Sequence, residues 1–244
     1  MIDFHSHILH SIDDGAKSLD ESLELVGDFM SQGVFNVVCT PHFYPDSISL
    51  EEFLAKRNAS FRSLRDRCAE FTDFHLYSGA EVYCNEFLGI CQDLTPLCIQ
   101  GTGLIMVEMP FAMKWSSQVW SILEKVIDRH SLTIIIAHAE RYPAVLRHPF
   151  TVLDKLTDMG CIIQVNTDSF IDKDTSSTVL KWLDKGLIHI LGTDSHGHEN
   201  RPPRMDKACS IISSTYGEKA VEKLQSNARK LLSGKQLHGN NLFL

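Results

Sequence analysis

Short apolar runs rich in β-branched residues alternate with amphipathic stretches along the whole chain, and that regularity leaves few folds open. The predicted strands are Met1 to His5, Phe35 to Thr40, Phe74 to Ser78, Leu104 to Met109, Leu132 to Ala137, Cys161 to Asn166 and Ile188 to Gly192. Between the first two, Ser18 with Glu21 three residues on opens a run with Leu19, Leu23, Val26 and Met30 on one face, stopping at Gly33. Ser49 with Glu52 opens a second such run through Phe53, Phe61, Leu64 and Cys68. A hydroxyl three residues ahead of a glutamate is the capping-box signature of a helix start. Further helices are expected over Ser117 to His130, Phe150 to Met159, Thr175 to Lys185, Met205 to Ser214 and Glu218 to Ser233. Strand-then-helix alternation joins parallel strands by crossover helices. The expected architecture is therefore α/β, a distorted (β/α)7 TIM-like barrel, with a doubly wound open sheet as the second choice. At 244 residues, without a repeat, low-complexity tract or linker, residues 1–244 are expected to form one domain.

Charge and composition remove several function classes. A net charge of -8 argues against nucleic-acid binding, which needs clustered positive charge to displace counterions, although a local basic pocket stays open. No apolar run approaches a membrane span of about 18 residues, and the start lacks the basic-then-apolar pattern of a signal peptide. A soluble, cytoplasmic protein without membrane insertion is expected. The seven cysteines form no CxxC pair and leave an odd count for any disulfide scheme, so they read as reduced, small buried hydrophobes. None has an arginine six residues later, the spacing a cysteine-nucleophile tyrosine phosphatase needs to cradle phosphate.

What remains is a set of potential ligands at the predicted strand ends. His5 and His7 are two apart on the first strand and point to the same side of an extended chain. His42 follows strand two, Glu81 strand three, Glu108 ends strand four and His138 strand five, Asp194 and His196 follow strand seven, and Asp14 lies in the first βα loop. In a parallel barrel all strand C-termini meet at one face. Each residue alone has an ordinary structural reading, as a hydrogen-bonded histidine, an ion-paired glutamate or, for Asp14, a turn residue beside Gly15. Burying imidazoles and carboxylates together without a cation is costly, and nine such groups exceed what one ion can use. Two to three divalent ions bridged by carboxylates are expected, with mixed nitrogen and oxygen donors suiting Mn²⁺, Fe²⁺ or Zn²⁺. His10, His75, His130, His148, His189, His198 and His238 lack such placement and read as surface or packing residues.

These residues sit in HSHILHSIDDGAKSLDES, TPH, GAEVY, VEMPF, AHAERY, QVNTDS, GTDSHGHENRPPRM and NARKLL, in that order along the chain. The set resembles the capsule-biosynthesis tyrosine-protein phosphatases of the polymerase-and-histidinol-phosphatase (PHP) superfamily. The resemblance implies a manganese-dependent phosphotyrosine-protein phosphatase on a PHP-type barrel, hydrolysing phosphotyrosine on a membrane-associated bacterial tyrosine kinase that controls capsule and exopolysaccharide synthesis, by a metal-bridging hydroxide. It further implies one ion on His5, His7, Glu81 and Asp194, a second on Glu81, Glu108 and His138, and a third on Asp14, His42 and His196. Arg141 falls on the arginine of the family's H-x-E-R-Y run and Arg201 on the arginine before its paired prolines, both expected to steady charge on the phosphoryl oxygens. Their bland readings are a salt bridge from Arg141 to Glu140 and an ordinary loop position for Arg201. The segment Ala112 to Gln118 varies within the family and borders the mouth of the site. Other readings are a small-molecule phosphatase of the histidinol-phosphate kind, a nuclease of the same superfamily, disfavoured by the acidic balance, and a non-catalytic metal-binding regulator. An amidohydrolase also begins HxH, but no lysine stands at a strand end to bridge its metals.

Overall fold

Every strand pair in the computed structural model, which describes residues 1–235 and 237, runs parallel. The strands are β1 Ile2–Ser6, β2 Asn36–Cys39, β3 His42–Phe43, β4 His75–Ser78, β5 Glu81–Tyr83, β6 Leu104–Glu108, β7 Thr133–Ile136, β8 Ile162–Asn166 and β9 Ile190–Gly192. Strands two and three of the sequence reading each continue further than expected, after a break at Thr40-Pro41 and at Gly79-Ala80, and His42 and Glu81 open these continuations rather than lying in loops. Hydrogen bonds run in the orders β1-β2-β4 and β3-β5-β6-β7-β8-β9. The two series join where Gly79 N–H donates to Cys39 O and Glu81 N–H to Pro41 O. The residues before β6 fill the gap beside β4, Gln100 N–H donating to Ser78 O and Ile99 N–H to Leu104 O.

The ends meet as well. Asp194 N–H donates to His5 O at 2.7 Å and His7 N–H to Ser195 O at 2.9 Å, so β9 lies against β1 and the sheet curls into a distorted barrel of seven staves, setting aside the open sheet. The expected helices form, from Leu19–Ser31 to Glu218–Leu232, and both predicted capping hydroxyls act: Ser18 Oγ accepts from Glu21 N and Ser49 Oγ from Glu52 N. Glu21 reaches back to Lys17 N rather than to the cap residue itself. Short helices at Glu86–Ile90, Pro143–Arg147 and Asp168–Ile171 went unpredicted, because four or five residues are too few to display a 3.6-residue period.

Alternation sends one face of each strand into the barrel. Ile2, Phe4, Val38, Met106, Ile135, Ile162 and Ile190 form an inner apolar cluster, closed off by Ala228 and Leu231 of the last helix. The larger cluster packs the outer faces, such as Ile105, Val107, Ile134 and Ile136, beneath the helices. Above the inner cluster the same faces turn polar, at Glu108, Gln164 and Asn166. Strict alternation would place His5 and His7 opposite Ile2 and Phe4. The register slips between Asp3 and Ser6, three steps on β1 matching two on β2, and this bulge turns both histidines inward. Gly192 leaves the room His5 needs, since a Cβ there would stand 2.5 Å from His5 Cβ.

Of the histidines read as surface or packing groups, His198 is exposed and pairs with Asp28, while His189 is 1% exposed; His238 lies outside the described residues. His189 Nδ1 accepts from Ile163 N–H at 2.9 Å, and burial pulls its pKa down to about 4. Between pH 6.5 and 4 the unfolded chain then binds a proton that the folded chain refuses, so stability falls as the pH drops through that window. Urea unfolding at pH 7 and pH 5 is expected to show wild type losing about 2 kcal/mol more than His189→Gln. Equal losses would mean that His189 titrates normally in the fold.

Candidate metal centre

Bulge, barrel closure and parallel register deliver the candidate ligands to one end of the barrel. His42 and Glu81 are direct partners on β3 and β5. His138 and Asp194 follow β7 and β9 with φ of 30° and 52°, and Arg201 has φ of 60°. Positive φ in residues with side chains costs on the order of 1–3 kcal/mol each and persists where surrounding contacts over-determine it.

His5 Nε2 and His7 Nε2 stand 3.2 Å apart. His5 Nδ1 hydrogen-bonds Gln164 Oε1 at 3.1 Å and His7 Nδ1 bonds Asp13 Oδ2 at 2.7 Å. Both acceptors are oxygens, which assigns the ring protons to the Nδ1 atoms in the neutral rings and turns an Nε2 lone pair from each toward the other. Glu81 Oε2 lies 3.2 Å from His5 Nε2 and 3.4 Å from His7 Nε2, and Asp194 Oδ1 lies 3.6 and 3.3 Å from the same atoms. Although His42 Nδ1 is 2.9 Å away, Glu81 Oε2 is buried without a well-formed hydrogen bond to any described residue. Converging lone pairs on buried atoms repel unless a cation lies among them. Donors held about 2.0–2.2 Å from one ion stand roughly 3 to 3.6 Å from one another, the spacing present here. The residues fit a metal ion.

The other candidates extend the cluster outward. His138 Nε2 meets Glu81 Oε1 at 2.7 Å, and its buried Nδ1 has no hydrogen-bond partner among the described residues. Glu108 Oε2 accepts from the Tyr44 hydroxyl at 3.0 Å and lies 3.9 Å from His42 Nδ1, so Glu81, Glu108 and His42 form one group. Asp14, exposed, stands 3.7 Å from His42 Nε2 and 3.4 Å from His196 Nε2, and these three group with His7. His196 Nδ1 bonds the Asp194 carbonyl at 2.8 Å, which leaves Nε2 facing the mouth.

Charge in the cluster is concentrated. Burial opposes ionisation of Glu81 and Asp194, but the imidazoles around them outweigh it and hold both carboxyls well below their ordinary range. Burial likewise works against charging His7, yet Asp13, Asp194 and Glu81 raise its pKa well above the usual value. Glu108 moves the other way, raised first by burial and then by the charge on Glu81. His196 falls to about 4 through burial and the positive groups beside it.

Arg141 donates to Asp194 Oδ2 at 3.2 Å, and Arg201 donates to the same oxygen at 2.6 Å and to His196 Nε2 at 3.0 Å. The bland reading of Arg141 fails here. Glu140 points inward, accepting from Asn166 N–H and Ser169 Oγ, because its position after His138 in a tight turn faces β8. Both arginine side chains keep 40% or more of their surface exposed, leaving donors for an anion at the mouth. The cysteines play no part: Cys91 is half-buried, the others are buried, and burial pushes Cys84, Cys98 and Cys161 up to about 12, far from a thiolate at neutral pH.

Several supporting residues escaped the sequence reading. Asp13 bonds His7, the backbone N–H of His42 and that of Gly15, and burial, though opposing, leaves its pKa at about 2 under the influence of His7. Gln164 orients His5 and accepts from His138 N–H, then donates to Asn166, which donates to Asp194. Two amides at alternate positions ending an apolar strand, Gln164 and Asn166, were the available signal; Tyr44 had none.

The family model described as "Capsular polysaccharide synthesis, CpsB/CapC" matches residues 1–233. The tyrosine-protein phosphatase CpsB of Streptococcus pneumoniae is 31% identical over 244 residues, covering 95% of this chain and 98% of that protein. Among solved structures, a chain from the work on YwqE of Bacillus subtilis and CpsB of Streptococcus pneumoniae, described as unique metal-dependent tyrosine phosphatases, superposes with a TM-score of 0.84 at 23% identity, over 98% of this chain and 100% of that one. Histidinol phosphate phosphatase from Lactococcus lactis, solved with zinc, L-histidinol and phosphate, superposes with a TM-score of 0.56 at 17% identity, over 90% and 93%. At these identities the two superpositions establish the fold.

Proposed function

Because the chain belongs to the CpsB/CapC capsular polysaccharide synthesis family, we propose that it is a metal-dependent phosphotyrosine-protein phosphatase. Its substrate is phosphotyrosine on a bacterial tyrosine kinase controlling capsule or exopolysaccharide synthesis, met at the cytoplasmic face of the membrane. No helix among the described residues is long and apolar enough to cross a membrane. The observation that carries the reading is the pair of Nε2 atoms of His5 and His7, 3.2 Å apart and within 3.6 Å of carboxylate oxygens of Glu81 and Asp194.

In this reading His5, His7, Glu81 and Asp194 hold one divalent ion, Glu81, Glu108 and His138 a second, and Asp14, His42 and His196 a third, with Mn²⁺ the preferred metal. Bound, such ions act as Lewis acids toward phosphoryl oxygens and lower the pKa of water to make a nucleophile available near neutral pH. The rest of the chemistry belongs to the chain. Arg141 and Arg201, both anchored on Asp194 Oδ2, present charged donors to phosphoryl oxygens as negative charge builds in the transition state. Tyr44 fixes Glu108, and Gln164 and Asp13 fix the ring orientations of His5 and His7, so the donors need little reorganisation. The leaving phenolate, of pKa about 10, needs less protonation than a serine alkoxide. The mouth, with Asp14, Arg141 and Arg201 all reaching solvent, suits a phosphate presented on a protein surface.

The test assays metal-free chain, reloaded separately with Mn²⁺, Fe²⁺ and Zn²⁺, on a phosphotyrosine peptide and on histidinol phosphate in parallel. Mn²⁺ is expected to give the highest kcat/KM on the peptide, with histidinol phosphate poorer by about 10²-fold or more. Preference for histidinol phosphate would make this a small-molecule phosphatase. Metal binding without turnover of either would make it a regulator.

A further inference from the structure

Phe111 is 51% exposed at the rim of the centre, an unusual position for a phenyl ring with so much polar surface around it. Three ring contacts come from one segment, His138 to Tyr142. The ring stacks near His138, 6.3 Å between centroids, leans on Tyr142 at 5.1 Å, and carries the Arg141 guanidinium 5.5 Å from its centroid. The backbone on either side is pinned: Met109 N–H donates to the buried Tyr142 hydroxyl, and the Pro110 carbonyl accepts from Ala112 N–H and Trp115 Nε1. Phe111 is thus held in place beside the site with part of its surface uncovered. Tyr44, near the mouth as well, has its hydroxyl committed to Glu108 and its ring against His42 and Tyr83.

We propose that Phe111 is a specificity-determining residue that receives the phenyl ring of the phosphotyrosine substrate, an inference that rests on the phosphatase reading above. A phosphotyrosine ring follows its phosphorus by a single oxygen. Once phosphoryl oxygens meet the Arg141 guanidinium, the ring must lie within about its own breadth of that group, where Phe111 already stands. Offset stacking or edge-to-face packing there selects an aromatic phosphate over an alkyl one.

The experiment uses metal-loaded full chain, wild type against Phe111→Ala and Phe111→Tyr. It measures KM and kcat on a phosphotyrosine peptide, the Ki of inorganic phosphate, and the calorimetric Kd of a peptide carrying phosphonomethylphenylalanine. For Phe111→Ala, KM and the phosphonate Kd are expected to rise about five- to tenfold, kcat and the phosphate Ki to stay within about twofold, and Phe111→Tyr to behave as wild type. An unchanged KM and Kd would overturn the proposal, as would an equal rise in the phosphate Ki, which would mean that the ring acts only by bracing Arg141. Wild type inert on phosphotyrosine would overturn the phosphatase reading and this inference with it; wild type active beside an unaffected Phe111→Ala overturns the inference alone.

Discussion

Stripping the protein with a chelator is expected to lower phosphatase turnover by at least about 10³-fold, with Mn²⁺ restoring it. The size follows from losing several kcal/mol of Lewis-acid and nucleophile activation at one step, at 1.36 kcal/mol per decade. A second readout needs no substrate. In the metal-free cluster the pKa of His7 stands well above its usual value and that of His5 is raised, because the carboxylates near them outweigh the effect of burial. His7 therefore holds a proton near neutral pH that a metal must displace, and calorimetric titration of metal in buffers of different ionisation enthalpy is expected to register proton release. Metal loading is also expected to raise Tm, since the ion binds only the folded arrangement. Full turnover by protein containing no metal on elemental analysis would sink the mechanism.

Arg141→Ala is expected to lower kcat by about 10²-fold, comparable to losing one preorganised donor at a developing charge. Metal content and Tm should change little, because the side chain is 44% exposed and Arg201 and Asn166 keep Asp194 Oδ2 hydrogen-bonded. Arg141→Lys should recover only part of the loss, since an ammonium cannot make the two-pronged contact of a guanidinium. Near-normal turnover in both variants would remove Arg141 from the site. A matching loss of bound metal would instead show that it serves by holding Asp194.

Much of the barrel was legible because strand and helix periods differ so sharply. A buried parallel strand such as Leu104–Glu108 reads as a nearly unbroken apolar run, and a helix such as Leu19–Ser31 carries its own cap and stripe. The breaks at Thr40-Pro41 and Gly79-Ala80 were harder to see beyond: β3 has two residues and β5 three, too short for any pattern. The ligand candidates were visible because imidazoles and carboxylates recurring at the ends of apolar strands have no cheap apolar explanation. Asp13 hid beside Asp14: adjacent aspartates look alike in a sequence, yet one is almost covered and braces His7 while the other reaches solvent.

By itself the sequence determined which residue types stand at the ends of which strands, since local periodicity and chemistry are properties of neighbours along the chain. Only the tertiary structure decided which of those groups meet. The bulge in β1 that turns His5 and His7 inward, the closure of β9 on β1, and the turning of Arg141 toward Asp194 and away from Glu140 each depend on contacts between residues far apart in the chain. Such contacts form when strands pair across the barrel, and a one-residue shift in register reverses the face a side chain occupies.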